Sequence, residues 1–144
     1  MKTVAEMLRN KPHAAVYSVS PTTSVLDAIK LMAEKGIGAL VVLERGRLAG
    51  IVSERDYARK VALLERSAFS AQVSEIMTAD VVTVGPRDTS QSCLQLMTDR
   101  HLRHLPVLAE GELIGLLSIG DLVKETIAEQ ASLIQQLEQY IRGE

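Results

Sequence analysis

The chain has 144 residues and a net charge of −2, with 47% apolar and 24% charged residues, which suits one domain or a tight pair of half-domains. Aromatic residues are only 3% of the total and no basic stripe occurs, so a nucleic-acid-binding surface is not expected. No apolar stretch reaches about 18 residues, no signal-peptide core is present, and Cys93 is the single cysteine. These features predict a cytoplasmic protein without membrane spans.

The first predicted elements are a short strand and an amphipathic helix. The segment 16–19 is rich in β-formers and is stopped by Pro21. Ser24 and Asp27 have the spacing of a helix start, and Gly36 marks the end of the helix.

A hairpin and a second helix are predicted next. The apolar runs 39–43 and 48–52 are joined through the polar segment 44–47, which is typical of a hairpin. Another helix is predicted after Ser53. The order is therefore strand, helix, strand, strand, helix, that is, a small sheet with two helices on one side.

The same order occurs twice, because residues 16–58 align with 81–123 without a gap and share thirteen of 43 positions. The repeat distance of 65 residues is longer than that of solenoid repeats, which are roughly 20–50 residues long. The fold class predicted is α/β (α+β), with two β-α-β-β-α repeats packed by pseudo-two-fold symmetry through their small sheets. Any ligand site should then occur as a pair.

Two further segments complete the predicted organisation. Residues 4–8 resemble 73–77, which predicts a short helix belonging to each unit, and an apolar stripe from Ile127 to Ile141 predicts that the last helix continues. This extension either packs on a second subunit or on its own chain. The predicted boundaries are 1–64 for the first repeat, 65–72 for a connector, 73–126 for the second repeat and 127–144 for the C-terminal helix.

Each repeat ends in a Gly-h-h-Ser-x-x-Asp motif, at 50–56 and 115–121, where h is apolar. One interpretation is a capping box, in which Ser and Asp only begin a helix. The other is a ligand site: a helix start suits a phosphate, a carboxylate accepts hydrogen bonds from both ribose hydroxyls, and a glycine in a strand leaves room for a flat base.

With its repeated motif, a Pro near each first strand and the run Arg103-His104-Leu105-Pro106-Val107, the chain resembles tandem cystathionine-β-synthase-type (CBS) domains, the Bateman module. The resemblance covers about residues 4–125. It implies an adenosyl ligand in the cleft between two repeats, with the aspartates on ribose, the serines on the phosphate side and the entering strands beside adenine. The implied site residues are Val16, Tyr17, Ser18, Gly38, Ala39, Ser53, Glu54, Arg55, Asp56, Val82, Thr83, Arg103, His104, Leu105, Pro106, Ser118, Ile119, Gly120 and Asp121.

The two implied sites differ in charge. Arg55 has no counterpart in the second motif, where the matching residue is Gly120. In the resembled fold, Arg103 and His104 face the cleft and reach a phosphate held by the first motif. We therefore expect the Asp56 site to gather most of the cationic groups and to prefer the more highly charged nucleotide, and the Asp121 site to accept a less charged one or to stay empty.

The sequence favours a regulatory module over an enzyme. No nucleophile lies beside a base, and the pair His101 and His104 lacks a third ligand of fixed spacing, so neither catalysis nor a metal site is predicted.

The expected ligand is AMP, with ADP, ATP, NAD(H) and S-adenosylmethionine as alternatives, and no catalytic cofactor is expected. We expect a homodimer, through the C-terminal helix if that helix pairs between subunits, and ligand binding would shift the dimer's conformation. The alternative is a structural association or partner-binding module whose Ser/Asp pairs are helix caps; no particular effector protein is indicated.

Overall fold

The computed structural model describes residues 2–11 and 16–143. It is a mixed α/β structure with two small sheets, as predicted. The elements in chain order are α1 (Val4–Asn10), β1 (Ser18–Val19), α2 (Val25–Lys35), β2 (Ala39–Glu44), β3 (Arg47–Ser53), α3 (Glu54–Tyr57), a π-helical turn (Ala58–Ala62), α4 (Val73–Ile76), α5 (Ser90–Arg100), β4 (His104–Ala109), β5 (Glu112–Ser118) and α6 (Ile119–Arg142).

The chain divides into two compact units. The Asp56 unit consists of Ala15–Val82 with Glu110–Leu113, and the Asp121 unit consists of Met1–Ala14, Thr83–Ala109 and Ile114–Glu144. The repeat boundaries proposed from the sequence stay a prediction, because a compact unit is not the same thing as a repeat of sequence.

The predicted hairpins are confirmed. In the Asp56 unit β1 runs parallel to β2, and β2 pairs antiparallel with β3, from Ala39 opposite Ser53 to Glu44 opposite Arg47. The two residues between the strands, Arg45 and Gly46, have φ of 52° and 78°. Two positive φ angles in a two-residue loop are those of a type I′ turn, which matches the twist of the strands it joins.

The predicted ends of the first helix are also confirmed. Ser24 Oγ accepts the backbone N–H of Asp27 at 3.1 Å, and Gly36 ends α2 in the left-handed conformation at φ 65°. In the second repeat, Thr89 caps the start of α5 and His101 ends it at φ 56°. His101 therefore lies at a helix end.

The first strand of each repeat is shorter than predicted. Only Ser18 and Val19 pair with β2, and the second repeat has no strand at 81–83 but a single parallel bridge between Val84 and Val107. Val84 donates to Pro106 O at 3.1 Å and accepts from Leu108 at 2.9 Å. The next bond of this ladder, to the carbonyl of Val82, would need an N–H at position 106, which proline lacks.

Each sheet packs its apolar residues into an aliphatic core. In the Asp56 unit, Met32, Leu40 and Ile76 are at most 1% exposed. Cys93 is fully buried on α5, as predicted for a small core residue, and burial raises the pKa of its thiol to about 11.

Each of the short helices α1 and α4 packs with the repeat that it does not directly precede. α1 precedes the first repeat but belongs to the Asp121 unit, where the Val4 N–H donates to Asp88 O at 2.8 Å. α4 precedes the second repeat but belongs to the Asp56 unit, where the Val73 N–H donates to Thr23 O at 2.8 Å. Each helix thus completes the unit formed by the other repeat.

The last helix continues beyond the repeat, as predicted. α6 has 24 residues, and its distal apolar side chains are exposed, among them Ile127 at 61%, Ile134 at 56% and Leu137 at 52%. The extension therefore does not bury its apolar face on the described residues of its own chain. No helix among those residues is long and apolar enough to cross a membrane.

Candidate functional site

The first motif forms a complete helix cap. The N–H and the hydroxyl of Ser53 donate to Asp56 Oδ2 at 2.9 and 3.1 Å, and the Asp56 N–H donates to Ser53 Oγ at 3.2 Å. Lys60, one turn later, lies 3.4 Å from the other carboxylate oxygen, Oδ1, and donates to Ile76 O at 2.9 Å. The Asp56 side chain is 17% exposed.

The second motif repeats this cap with a different lysine. The Ser118 N–H donates to Asp121 Oδ2 at 2.8 Å, and the Asp121 N–H donates to Ser118 Oγ at 3.2 Å. Lys11, which follows α1, donates to the same Oδ2 at 2.9 Å and to Leu116 O at 2.7 Å. Asp121 Oδ1 accepts no hydrogen bond from the described part of the chain, and the side chain is 22% exposed.

These contacts keep Asp121 ionised. Burial raises the pKa of its carboxyl group, but the Ser118 N–H and the Lys11 ammonium outweigh burial, so the pKa lies below its usual value. His104, at the start of β4, is instead favoured in its neutral form. Its pKa is lowered by burial and by Lys11, is raised less by Asp121, and is lowered again by Arg103.

The structure therefore places the cationic side chains of Lys11 and Arg103 near the second motif, together with a histidine that favours its neutral form. Lys11 touches Asp121, and His104 with the adjacent Arg103 lies within electrostatic reach of Lys11. The expectation that most cationic groups gather at Asp56 did not include Lys11. Whether Arg103 or His104 also serves the first motif stays a prediction.

The glycine of each motif is explained by chain packing. A Cβ on Gly50 would lie 2.8 Å from both Met77 Sδ and Thr78 O, and a Cβ on Gly115 would lie 2.6 Å from Leu8 Cδ2. The idea that these glycines leave room for a flat base is thus wrong for this structure. The space is filled by the segments around α4 and α1.

The implied residues near the start of each hairpin do lie beside the motifs. The Glu54 N–H donates to Gly38 O at 3.0 Å, and Ala39 pairs with Ser53. In the second repeat, the Ile119 N–H donates to Arg103 O at 2.8 Å.

The remaining implied residues have varied surroundings. Arg55, Arg103 and Gly120 are exposed, whereas Leu105 and Pro106 are buried in the core. The Tyr17 ring lies partly against the core, with Lys35 Nζ 5.1 Å from its centroid. Val16 and Ser18 adjoin it on the entering segment. Val82 and Thr83 are both half-buried.

Sequence reasoning missed the two lysines that contact the motif aspartates. Lys60 had a detectable signal, because it lies four residues after Asp56 on a helix, where side chains meet. Lys11 lies 110 residues from Asp121 and had none.

An open groove of about 890 Å³ lies elsewhere in the Asp121 unit, along α1, α5 and α6. Glu129 there accepts from the Lys2 N–H and the Ser90 hydroxyl, and Lys2 Nζ lies 3.4 Å from Glu125. Its lining includes no residue of either motif.

Comparison with known proteins identifies the fold family. The family model of the CBS domain matches residues 4–63 and 73–128. The chain belongs to the CBS domain family. CBS pairs are regulatory modules that often bind adenosine-containing ligands.

Several relatives are similar over most of the chain. A mitochondrial CBS domain-containing protein of Arabidopsis thaliana is 38% identical, over 98% of this chain and 72% of the relative. A CBS-domain protein structure from Burkholderia ambifaria is 56% identical, with a TM-score of 0.86, and the match covers 90% of this chain and 96% of that one. A CBS-domain containing protein from Agrobacterium tumefaciens is 34% identical, with a TM-score of 0.82, over 87% and 99% of the two chains.

A more distant match carries ligands. It is a CBS domain pair solved with 5′-methylthioadenosine and S-adenosyl-L-methionine, and it shares the fold at 19% identity, with a TM-score of 0.78, over 90% of this chain and 98% of that one. The location in the cell stays a prediction.

Proposed function

We propose that this chain is a non-catalytic regulatory module that binds an adenine nucleotide at its Ser-x-x-Asp motifs. The observation that carries the proposal is that both repeats fix a partly exposed aspartate in the same way, through a serine at a helix start. A fixed, ionised carboxylate is a good acceptor for the two hydroxyls of a ribose. The CBS pair that is solved with two adenosyl compounds supports this class of ligand.

The charges nearby favour a phosphorylated nucleoside. Arg55 follows Ser53 by two residues and is exposed, and exposed Arg103 adjoins the start of β4. An exposed guanidinium can bind a phosphate through two parallel hydrogen bonds. We propose AMP as the first ligand, with ADP, ATP, NAD(H) and S-adenosylmethionine as the alternatives that share its adenosine.

The proposed output is a change of conformation rather than a reaction. A nucleotide shifts an equilibrium between two arrangements only as far as its affinities for them differ. The readout is therefore binding, and an effector protein would respond to the population that the nucleotide favours.

The test is thermal unfolding of the full chain with AMP, ADP, ATP, NAD, NADH and S-adenosylmethionine. Ligand at about a hundred times its dissociation constant adds roughly 2.7 kcal/mol, which raises the Tm of a chain of this size by roughly 5–10 °C. Asp56→Asn and Asp121→Asn keep the shape of the side chain but replace one acceptor oxygen by a donor. Each should remove the shift due to its own motif.

Asp88→Asn is the matched control. Asp88 Oδ2 accepts the Gly85 N–H at 2.7 Å, so this carboxylate also supports a local turn, but it lies outside both motifs. The control should leave the nucleotide shift intact. If none of the six adenosine compounds raises the Tm at millimolar concentration, the nucleotide proposal fails and the motifs are helix caps.

A second candidate function, self-association, is favoured by the exposed face of α6. Ile127, Ile134 and Ile141 repeat every seven residues and Leu137 lies between two of them, which is the pattern of a coiled-coil seam with Ile at position a and Leu at position d. We propose that a second copy of this chain covers this face. Similar proteins described as hexameric, 29% identical to this chain, show that CBS domains occur in assemblies.

Sedimentation of the full chain tests this pairing. Ile134→Glu places a charge in the proposed seam and should shift the chain towards a smaller species, whereas Gln139→Glu, on the opposite side of the heptad, should not. Equal sedimentation of Ile134→Glu and the unchanged chain would reject pairing through α6.

A further inference from the structure

The carboxylate of the second motif is held from outside its own repeat. Asp121 Oδ2 accepts both the Ser118 N–H at 2.8 Å and the Lys11 ammonium at 2.9 Å, while Lys11 is itself anchored by Leu116 O at 2.7 Å. The lysine and the aspartate side chains are 25% and 22% exposed. Two donors thus fix one of the two carboxylate oxygens, and one of these donors is itself held by a backbone carbonyl.

We propose that Lys11 is a positioning residue of the Asp121 motif, holding Oδ2 so that Oδ1 stays open to the hydroxyls of a ribose. The inference rests on the proposed function and adds to it a residue and a ranking of the two sites by affinity. It makes the Asp121 motif the tighter of the two nucleotide sites, which reverses the preference for the Asp56 site expected from the sequence.

The two carboxylate oxygens of Asp121 accept unequal numbers of hydrogen bonds. A carboxylate has about four lone-pair sites, two on each oxygen. At Asp121 the cap and the lysine both use Oδ2, and no described residue donates to Oδ1. Both lone pairs of Oδ1 are therefore available to the 2′- and 3′-hydroxyls, which donate side by side.

The first motif uses its oxygens differently. The Ser53 N–H and hydroxyl donate to Asp56 Oδ2, and Lys60 lies 3.4 Å from Oδ1, the oxygen that a ribose would need. A diol must therefore compete with an ammonium group at Asp56 but not at Asp121. Lys60 and Lys11 contact equivalent aspartates and have opposite expected effects.

The surroundings of Lys11 add a preference for anionic ligands. Lys11 is anchored close to Asp121, and Arg103 is exposed nearby beside His104. A nucleoside phosphate bound at Asp121 would meet these cationic groups, whereas adenosine would use only the carboxylate. Loss of Lys11 should therefore weaken AMP binding more than adenosine binding.

Titration calorimetry with AMP and with adenosine tests the assignment in two backgrounds. Asp56→Asn leaves only the Asp121 motif, and Asp121→Asn leaves only the Asp56 motif. We expect the Asp56→Asn chain to bind AMP more tightly than the Asp121→Asn chain. In the Asp56→Asn background, Lys11→Met should weaken AMP binding by about tenfold, as expected for one charge-assisted hydrogen bond, and Lys60→Met should have no effect.

A spectroscopic readout separates positioning from a general loss of structure. The carboxyl carbon of Asp121, followed by NMR in the ligand-free chain, should titrate at higher pH in Lys11→Met than in the unchanged chain. Lys11→Gln keeps a hydrogen-bond donor without the charge, so its AMP affinity should fall between the two. This second variant serves if Lys11→Met folds poorly.

The outcomes separate the two proposals. Unchanged AMP affinity in Lys11→Met, or tighter AMP binding at the Asp56 motif, overturns the role of Lys11 and leaves the nucleotide proposal standing. Absence of AMP binding in every variant also overturns the role of Lys11, and the thermal screen with the six adenosine compounds then decides the proposed function separately.

Discussion

Replacing Gly50 by Ala should destabilise the chain more than the matched replacement at Gly115, although the two glycines are equivalent in the repeats. A Cβ at position 50 would lie 2.8 Å from Thr78 O, a backbone atom. That carbonyl is fixed, because Ile51 and Thr78 exchange hydrogen bonds of 3.0 and 2.9 Å. The three atoms nearest to a Cβ at position 115 all belong to the Leu8 side chain, the closest at 2.6 Å, and a side chain can change rotamer where a backbone carbonyl cannot.

The magnitudes follow from these contacts. Overpacking against a fixed group costs about 1–3 kcal/mol, and the reduced freedom of alanine in the unfolded chain returns about 0.4–1 kcal/mol. We expect a net loss of about 2 kcal/mol for Gly50→Ala and less than about 1 kcal/mol for Gly115→Ala. At roughly 2.1 cal/mol/K per residue, 2 kcal/mol corresponds to a fall in Tm of about 6–7 °C.

A double-mutant cycle makes this comparison decisive. Urea unfolding should show that Leu8→Ala removes the cost of Gly115→Ala, because the obstacle is that side chain. Met77→Ala should relieve Gly50→Ala only in part, because the Thr78 carbonyl remains. Equal costs at the two glycines, or no relief by Leu8→Ala, would refute the explanation of the glycines by packing.

Three further predictions concern single groups. The pKa of His104 is lowered by burial, so between that pKa and 6.5 the unfolded chain binds more protons than the folded one, and stability falls as pH falls. His104→Gln should therefore flatten the pH dependence of the urea midpoint between pH 7.5 and 5.5. An unchanged slope would contradict this. Cys93, fully buried and with its pKa raised to about 11, should react with iodoacetamide at pH 8 only after urea unfolding, so rapid labelling of the native chain would be contrary evidence. Gly46→Ala should cost about 1 kcal/mol in thermal unfolding, because φ at this position is 78°, where an alanine is strained. A Cβ would meet no atom within 4 Å, so a steric clash does not add to this cost. A neutral result would show that the turn relaxes.

Features decided by neighbours in sequence were predictable. Ser24 and Gly36 mark the ends of α2, and Arg45 with Gly46 forms the hairpin turn, because caps and tight turns depend on the preferences of a few adjacent residues. The reduction of the predicted strand at 81–83 to a single bridge at Val84 was harder to predict, since it results from a missing N–H at Pro106 on another strand.

Features decided by distant contacts were not predictable from one sequence. The motif glycines appeared to leave room for a ligand because nothing local indicates that Leu8 or Met77 fills the space. The contact of Lys11 with Asp121 spans 110 residues, so spacing along the chain carries no trace of it. The capping interpretation of Ser53 and Asp56 and the ligand interpretation are compatible, because the cap fixes the carboxylate that a ribose would use.

The exchanged positions of α1 and α4 limit how the chain can be divided. A fragment that contains only the first repeat would keep α1, whose partners Asp88 and Pro86 lie in the second repeat, and would lose α4, which donates to Thr23. Each half therefore supplies a helix that the other half needs. Two separately expressed halves should be poorly structured alone and recover their fold when mixed. A single repeat could complete its fold in the same way only by pairing with a second copy of itself.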